Sequence, residues 1–205
     1  MKVTILDYGV GNLGSVRNAL LCLGVEASVT SDARLIDSSD LLVVPGQGAA
    51  GDAMAALKSH GLVAPIQDYI RSGRPYFGIC LGYQLLFDFT EEDGGIHGLG
   101  LFSGQVKRFD SRDIKVPQMG WNQLDVVNDP LELASGLDQP LFGYFANSYY
   151  VEPEDPSIVF TQTDYGTRFA SSIQTATVLG CQFHPEKSGA VGLHIIKEFL
   201  NRHAH

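Results

Sequence analysis

The sequence predicts an α/β fold, with a mostly parallel central sheet flanked by helices and added antiparallel strands in the C-terminal half. Up to about residue 90, short apolar runs alternate with apolar residues at helical spacing, the pattern of consecutive βα units. Beyond residue 95, strand-like runs follow one another with few helical segments between them, as in antiparallel pairs. The 205 residues are expected to form one domain, residues 1–205.

Three apolar runs, at Val3–Leu6, Ala27–Thr30 and residues 41–44, are predicted to be buried strands. Between the first two lie a glycine loop at residues 9–14 and a helical spacing of apolar residues. This stretch matches the fingerprint of a dinucleotide-binding unit, in which a strand, a G-x-G-x-x-G loop, a helix and a second strand are followed by an acidic residue, here Asp32. The same glycines also suit an ordinary tight turn between a strand and a helix, so both interpretations stay open here.

The remaining elements follow from the same periodicities. Helices are predicted at residues 51–57 and 62–71, after the Pro45-Gly46-Gln47-Gly48 turn. A strand at residues 76–79 should then lead into a helix that begins after Cys80 and ends before residue 90. Further strands are predicted at residues 101–109, 141–151, 157–163, 169–174 and 177–183, and a last helix at residues 190–202.

Composition and charge narrow the classes of function. The net charge of −9 argues against a nucleic-acid or anionic-membrane surface. The first apolar run meets Asp7 at once, too early for a signal peptide, and no stretch reaches the length of a membrane span. An odd number of cysteines without paired spacing predicts a reducing, cytoplasmic location without disulfides. His203 and His205 are expected in a frayed tail that binds no metal.

Cys80 stands between Gly78 and Gly82, which is the G-x-nucleophile-x-G pattern of a sharp strand-to-helix turn. The small neighbours let the backbones pass closely, and the N-terminus of the following helix favours a thiolate. The backbone N–H of Leu81 would then point to a developing oxyanion. A lone cysteine in an apolar run is more often a core residue, but the glycines and the switch from strand to helix favour a nucleophile.

A cysteine nucleophile needs a base, and the base needs an orienting partner. His184 follows an apolar strand, and Glu186 lies two residues further on, within reach of the imidazole. Since Cys80 and His184 each end a strand, both are expected at the carboxyl edge of the sheet, where open α/β sheets bind ligands. On its own, His184 could equally be a buried structural histidine. Cys181 is expected in the core because its neighbours alternate as in a buried strand.

The G-x-C-x-G-x-Q segment at residues 78–84 and the F-H-P-E segment at residues 183–186 are similar to those of the class I glutamine amidotransferases. Within that family, four further segments resemble the glutaminase subunits that serve imidazole glycerol phosphate synthesis. These are DYGVGN (7–12), PGQG (45–48), MGWN (119–122) and HPEKS (184–188). The resemblance covers nearly the whole chain. It implies a triad of Cys80, His184 and Glu186 that hydrolyses glutamine to glutamate and ammonia.

The resemblance also implies roles around the triad. The oxyanion would be held by backbone N–H groups of Leu81 and of the loop that contains Gln47 and Gly48. A carboxylate at Glu92 suits the α-ammonium group of the substrate, although an acidic residue there could simply be a solvated loop residue. Further residues that would bind glutamine are Gly46, Gln84, Ser148 and Tyr149.

By the same resemblance, the partner is a (β/α)8-barrel cyclase that forms a heterodimer with this chain. The cyclase uses the ammonia to make imidazole glycerol phosphate and an aminoimidazole carboxamide ribotide in histidine biosynthesis. Asn12, Trp121 and Lys187 would lie at the docking face, where a lone tryptophan suits an interface anchor as well as a core aromatic. No metal or cofactor is implied.

Some residues depart from the pattern of the family. Many members have histidine where this chain has Gln118 and Asn147, and Gln47 replaces a common apolar residue. None of these positions belongs to the triad. The resemblance assigns residues 7–12 to a turn that faces the partner subunit and binds no dinucleotide, which disfavours the dinucleotide interpretation. The remaining alternatives are an amidotransferase subunit for surface-sugar amidination, a scaffold with an inactive site, and a nicotinamide-dependent oxidoreductase.

Overall fold

The N-terminal half consists of successive βα units, as its alternating pattern predicts. The computed structural model describes residues 1–204. The first four strands are β1 (Val3–Leu6), β2 (Ala27–Thr30), β3 (Leu41–Gly46) and β4 (Tyr76–Cys80). The helices that separate and follow them are α1 (Leu13–Cys22), α2 (Ala33–Ile36), α3 (Ala50–Ser59), α4 (Val63–Arg71) and α5 (Leu81–Gln84).

The C-terminal half is dominated by strands, again as predicted. They are β5 (Phe87–Thr90), β6 (Ile96–His97), β7 (Phe102–Arg108), β8 (Gln118–Val126), β9 (Leu141–Asn147), β10 (Tyr149–Pro153), β11 (Val159–Asp164), β12 (Arg168–Gln174) and β13 (Val178–Cys181). Three short 3-10 turns lie at Glu92–Gly94, Pro156–Ile158 and Pro185–Lys187. The chain ends in α6 (Gly189–His203).

The sheet runs in the order β2-β1-β3-β4-β13-β12-β10-β7-β5-β6, and β11, β8 and β9 branch from β12. The first five strands of this order are parallel to one another, and β12 and β10 pair antiparallel with their neighbours. The last strand of the chain, β13, is thus inserted beside β4 in the middle of the sheet. The carboxyl ends of β3, β4 and β13 consequently meet at one edge.

Helices cover both faces of the parallel part of the sheet. Because side chains alternate along a strand, Val43 of β3 and Phe77 of β4 join a core cluster with α1 and α6, whereas Leu42 and Tyr76 join a second cluster with α3 and α4. Both clusters are built from fully buried aliphatic and aromatic side chains. This packing holds the parallel strands, and hence their carboxyl edge, in a fixed position.

Several predicted elements differ from the structure. The predicted helix after Cys80 is wrong beyond Gln84, because residues 87–90 form β5 and pair with β6 and β7. Residues 141–151 form two strands separated at Ser148, and β8, β6 and α2 were not predicted. The tail is helical through His203 rather than frayed, and His205 lies outside the described residues. Among the described residues, no helix is long and apolar enough to cross a membrane.

Three residues of the stretch that matches a dinucleotide fingerprint, Gly11, Asn12 and Asp32, have structural explanations. A Cβ at Gly11 would lie 3.3 Å from the carbonyl oxygen of Pro45, so the glycine lets the two loops pack together. The side chain of Asn12 accepts from the N–H of Ser15 and caps α1. Asp32 caps α2 by accepting from the N–H of Arg34. Each of these residues is accounted for by local packing or helix capping.

Candidate active site

Cys80 occupies the strained turn that the glycine spacing predicts. It ends β4 with φ 54° and ψ −107°, a left-handed conformation that residues with a Cβ rarely adopt. Gly46 of β3 lies opposite it in the sheet register. The side chain of Cys80 is buried but lines a cavity at the carboxyl edge of the sheet. The strained backbone therefore presents the sulfur at the edge where open α/β sheets bind ligands.

Both glycines around Cys80 are required by close backbone approach. A Cβ at Gly82 would lie 1.8 Å from the carbonyl oxygen of Val44, and one at Gly78 would lie 2.7 Å from the carbonyl oxygen of Gly82. The hydroxyl of Tyr76 donates to that same Gly82 carbonyl at 2.8 Å. The helix that follows, α5, has only four residues, so close packing rather than a long helix dipole sets the environment of the sulfur.

His184 and Glu186 lie in the turn that follows β13, next to β4. Nδ1 of His184 is 2.9 Å from Oε1 of Glu186, and the imidazole lines the same cavity as Cys80, with which it interacts electrostatically. The backbone N–H of His184 donates to the carbonyl of Tyr144, and the hydroxyl of Ser188 donates to the carbonyl of His184. The turn is therefore clamped to β9, and Glu186 reaches the imidazole of His184, as the spacing of the two residues predicted.

The electrostatics of this series favour a protonated imidazole. Burial lowers the pKa of His184, but the hydrogen bonds and charges of Cys80 and Glu186 outweigh it and raise that pKa from 6.5 to about 9. The side chain of Glu186 is almost completely buried, at 1% exposure. Because Nδ1 faces Glu186, Nε2 is left to exchange a proton with the sulfur. The arrangement is that of a nucleophile, a base and an orienting carboxylate.

An open cavity of about 380 Å³ lies above Cys80 and His184. Most of the predicted site residues line it, from five different parts of the chain. They are Gln47, Gly48, Cys80, Leu81, Gln84, Glu92, Ser148, Tyr149, His184 and Lys187. Its volume suits a ligand of amino-acid size, and its wall carries polar groups at several points.

Glu92 is fixed in the wall of this cavity by the start of α3. Its Oε2 accepts from the N–H of Ala50 at 2.8 Å, which caps the helix. Burial raises the pKa of the Glu92 carboxyl, the Ala50 N–H opposes this, and the charges of Asp93 and Asp52 add to the rise. The carboxylate is therefore a structured acidic group beside the cavity and not a freely solvated loop residue.

Four of the predicted site residues do not line the cavity. Gly46 lies behind it, where a Cβ would meet the hydroxyl of Tyr8 at 2.5 Å. Glu186 lies behind His184, and Asn12 caps α1. Trp121 is 57% exposed on the outer face of β8, with its ring edge against Tyr144. Its exposure excludes the alternative that this tryptophan is a core aromatic.

Sequence reasoning assigned no role to two residues that the structure places at the site. The amide of Gln182, buried beneath the cavity, donates to Cys80 Sγ at 3.6 Å. The buried hydroxyl of Tyr8 donates to the carbonyl of Pro45, next to the Gly46 position, and burial followed by the charge of Cys80 raises the pKa of Tyr8. A polar residue at the end of an otherwise apolar strand was the available signal for Gln182.

Gln118 and Asn147, which replace common histidines, face each other across β8 and β9. Asn147 lines the cavity and donates to the carbonyl of Tyr149 at 2.9 Å. Neither polar atom of the Gln118 side chain has a hydrogen-bond partner within the described chain, although the residue is 2% exposed. Asn147 therefore changes the polar wall of the cavity, Gln118 lies beside it in the neighbouring strand, and neither residue belongs to the triad.

Comparison with known proteins agrees with this geometry. The model of the class I glutamine amidotransferase family matches residues 4–202. The imidazole glycerol phosphate synthase subunit HisH of Syntrophotalea carbinolica is 46% identical over 96% of this chain and 98% of its own length. The HisH subunit of Moorella thermoacetica is 47% identical over 98% of this chain and 96% of its own.

A solved structure agrees in fold at much lower identity. A crystal structure of a glutamine amidotransferase superimposes with a TM-score of 0.77 at 20% identity, covering 99% of this chain and all of that one. At this identity the likeness concerns the fold alone. Family and fold agree over the same residues, and so the chain belongs to the class I glutamine amidotransferases, a family of enzymes, in the branch that contains the HisH subunits of imidazole glycerol phosphate synthase.

Proposed function

We propose that this chain hydrolyses glutamine to glutamate and ammonia, with Cys80 as nucleophile, His184 as base and Glu186 as the group that orients the base. The observation that carries the proposal is the buried imidazole of His184 at the cavity, which is hydrogen-bonded to the buried carboxylate of Glu186 and interacts electrostatically with Cys80. A buried cysteine in a strained left-handed turn would be costly for packing alone. Here the strain aims the sulfur at the cavity.

The chemistry follows from these positions. Sγ of Cys80 attacks the side-chain carbonyl carbon of glutamine while its proton is held on Nε2 of His184. The imidazolium then gives that proton to the leaving nitrogen, so ammonia departs and a thioester remains on Cys80. Water, deprotonated by His184, attacks the thioester and releases glutamate, which restores the thiolate of Cys80 and the protonated imidazole. Glu186 keeps Nε2 directed at the sulfur through both steps.

We assign the binding of glutamine and the stabilisation of the oxyanion to groups of the cavity wall. The oxyanion is held by the N–H of Leu81 and an N–H of the Gln47–Gly48 loop, and one such donor is typically worth about 3 kcal/mol. Glu92, fixed by its bond to Ala50, receives the α-ammonium group of glutamine. The other substrate contacts are assigned to Gln84 and to the backbone of Ser148 and Tyr149 in the same wall, and to Gly46 behind it.

The ammonia is delivered to a partner, a (β/α)8-barrel cyclase that makes imidazole glycerol phosphate and an aminoimidazole carboxamide ribotide in histidine biosynthesis. The relatives are named as subunits of imidazole glycerol phosphate synthase, which supports a heterodimer. Met119, Trp121 and Phe142 are large apolar side chains exposed on the outer face of β8 and β9, beside the cavity mouth. With Asn12 and Lys187 they form the proposed docking face.

We assign the proposed activity to a single domain, residues 1–205, in the cytoplasm. The free thiols of Cys22, Cys80 and Cys181 support a reducing compartment. The activity needs no metal or cofactor, since the proposed nucleophile, base and oxyanion donors are all supplied by the chain. The products of the proposed reaction are glutamate and free ammonia, so activity can be followed without the partner's substrate.

The test compares Cys80→Ala with Cys22→Ala, a matched change of an exposed cysteine. Cys80→Ala is expected to abolish glutamine hydrolysis, whereas its complex with the cyclase should still use added ammonium salt. Cys22→Ala should hydrolyse glutamine normally, and acid quenching of the wild-type reaction should trap a thioester on Cys80. Normal glutaminase activity in Cys80→Ala would overturn the assignment of the nucleophile.

A further inference from the structure

Gln182 lies between the end of β13 and His184, with its side chain completely buried. Its Nε2 donates to Sγ of Cys80 at 3.6 Å, within the range for a bond to sulfur. Its Oε1 accepts from Nε2 of Gln84 at 2.9 Å. The backbone N–H of Gln182 is bonded to the carbonyl of Ser171, which fixes the residue in the strand. The amide thus connects the cavity wall to the proposed nucleophile.

The direction of these hydrogen bonds follows from a backbone carbonyl. The carbonyl of Tyr149 can only accept, so the amide nitrogen of Gln84 faces it, at 3.2 Å. The other hydrogen of the same nitrogen is donated to Gln182 Oε1. With its oxygen engaged, Gln182 has only its nitrogen left to face the sulfur of Cys80. The carbonyl of Tyr149, acting through the side chains of Gln84 and Gln182, therefore determines that the sulfur of Cys80 faces a donor and not an acceptor.

We propose that Gln182 stabilises the thiolate of Cys80 by donating a buried, neutral hydrogen bond to its sulfur. A donor bonds more strongly to a thiolate than to a thiol, so the bond favours the reactive form. Because Gln182 is inaccessible to water, solvent cannot replace the donor if it is removed. Gln84 acts through Gln182 as a positioning residue. The inference rests on the proposed role of Cys80 as nucleophile.

The experiment measures how fast iodoacetamide alkylates Cys80 as a function of pH, in a Cys22→Ala background so that the exposed thiol does not contribute. Gln182→Met keeps the length of the side chain but removes the donor. We expect alkylation at neutral pH to fall roughly tenfold, and the pH midpoint of the rate to rise by about one unit. Gln182→Asn, whose shorter side chain withdraws the donor from the sulfur, should slow alkylation in the same direction.

Gln174→Met is the matched control, because Gln174 is also a buried glutamine but bonds to Asn128 and Asp129 rather than to the site. It should leave the pH midpoint where it is in the parent chain. If Gln182→Met unfolds, the rate and pH midpoint of Gln182→Asn decide. An unchanged midpoint in a folded Gln182 variant would overturn the inference. If alkylation of Cys80 depends on Gln182 as expected, but the parent chain does not hydrolyse glutamine, the proposed function fails while the inference holds.

Discussion

The imidazole of His184 is 2% exposed and lies between a sulfur and a carboxylate that both favour its charged form. Since the pKa of His184 in the folded chain is about 9 and its ordinary value is 6.5, folding strengthens its hold on a proton. This contribution to stability is complete below pH 6.5 and is lost as the pH rises through about 9. At neutral pH the imidazole is therefore protonated, ready to give a proton to a leaving nitrogen.

We predict that Glu186→Gln impairs glutamine hydrolysis less than His184→Asn. Removing the base should lower kcat roughly ten-thousandfold, whereas removing the orienting charge should lower it roughly a hundredfold. Because Glu186 also helps to raise the pKa of His184, the basic limb of the pH profile should shift to lower pH in Glu186→Gln. The measurement is kcat against pH, with the exposed Glu154→Gln as control. Equal losses in the two site variants would contradict the separate roles.

Single residues were predictable from the sequence where a short spacing reports a local geometry. Cys80 between two glycines, and Glu186 two residues after His184, are constraints within one turn. Gln182 was not predictable, because its partners Gln84 and Cys80 are about 100 residues away and meet it only through strand pairing. Nothing in the local sequence distinguishes such a glutamine from an ordinary polar residue at a strand end.

Among the elements, the turn between β4 and α5 tolerates the least change. We predict that Gly82→Ala destabilises the fold by about 3 kcal/mol or more, because the new Cβ would lie 1.8 Å from the carbonyl oxygen of Val44. Gly14→Ala in α1 is the control, since its Cβ would meet nothing closer than 4.0 Å, and it should be neutral or slightly stabilising. Urea denaturation measures both. A Gly82→Ala chain with normal stability would contradict the close packing.

Elements were predicted well where one face is apolar and poorly where it is not. The three buried parallel strands and the last helix have the simple periodicities of fully buried or one-sided elements. β8 reverses the usual pattern, because Met119 and Trp121 face outward while Gln118 and Asn122 face inward. Residues 87–90 alternate as a strand, but the apolar spacing before them continues that of a helix, so the helix was predicted too long.

For the whole molecule, we predict that the isolated chain is a poor glutaminase and that the cyclase with its own substrate activates it. Gly48 is exposed with φ 93°, and a Cβ there would meet nothing within 4 Å, so no close packing restrains the backbone at this glycine. Gly46, in contrast, is held against Tyr8 and Leu81. We therefore assign the switchable N–H donor of this prediction to the Gln47–Gly48 segment, at the proposed docking side.

The measurement is steady-state glutamine hydrolysis by the chain alone, with the cyclase, and with the cyclase and its nucleotide ligand. Withholding one oxyanion donor should slow the isolated chain by roughly a hundredfold to a thousandfold. Full activity of the chain alone would refute the switch. Lys187 lies one residue from Glu186 and lines the cavity, so Lys187→Ala tests whether docking acts through this residue. Unchanged activation in that variant would keep the switch but exclude this route.

The central position of β13 has a consequence for the order in which the protein is made. This strand is the last in the sequence, yet it joins β4 on one side to β12 on the other. During synthesis, Cys80 leaves the ribosome about 100 residues before His184, and the two halves of the sheet cannot be joined until residues 178–181 have emerged. In the nascent chain the proposed nucleophile therefore lacks its proposed base while about half of the chain is made, and the proposed site is complete only when the sheet closes.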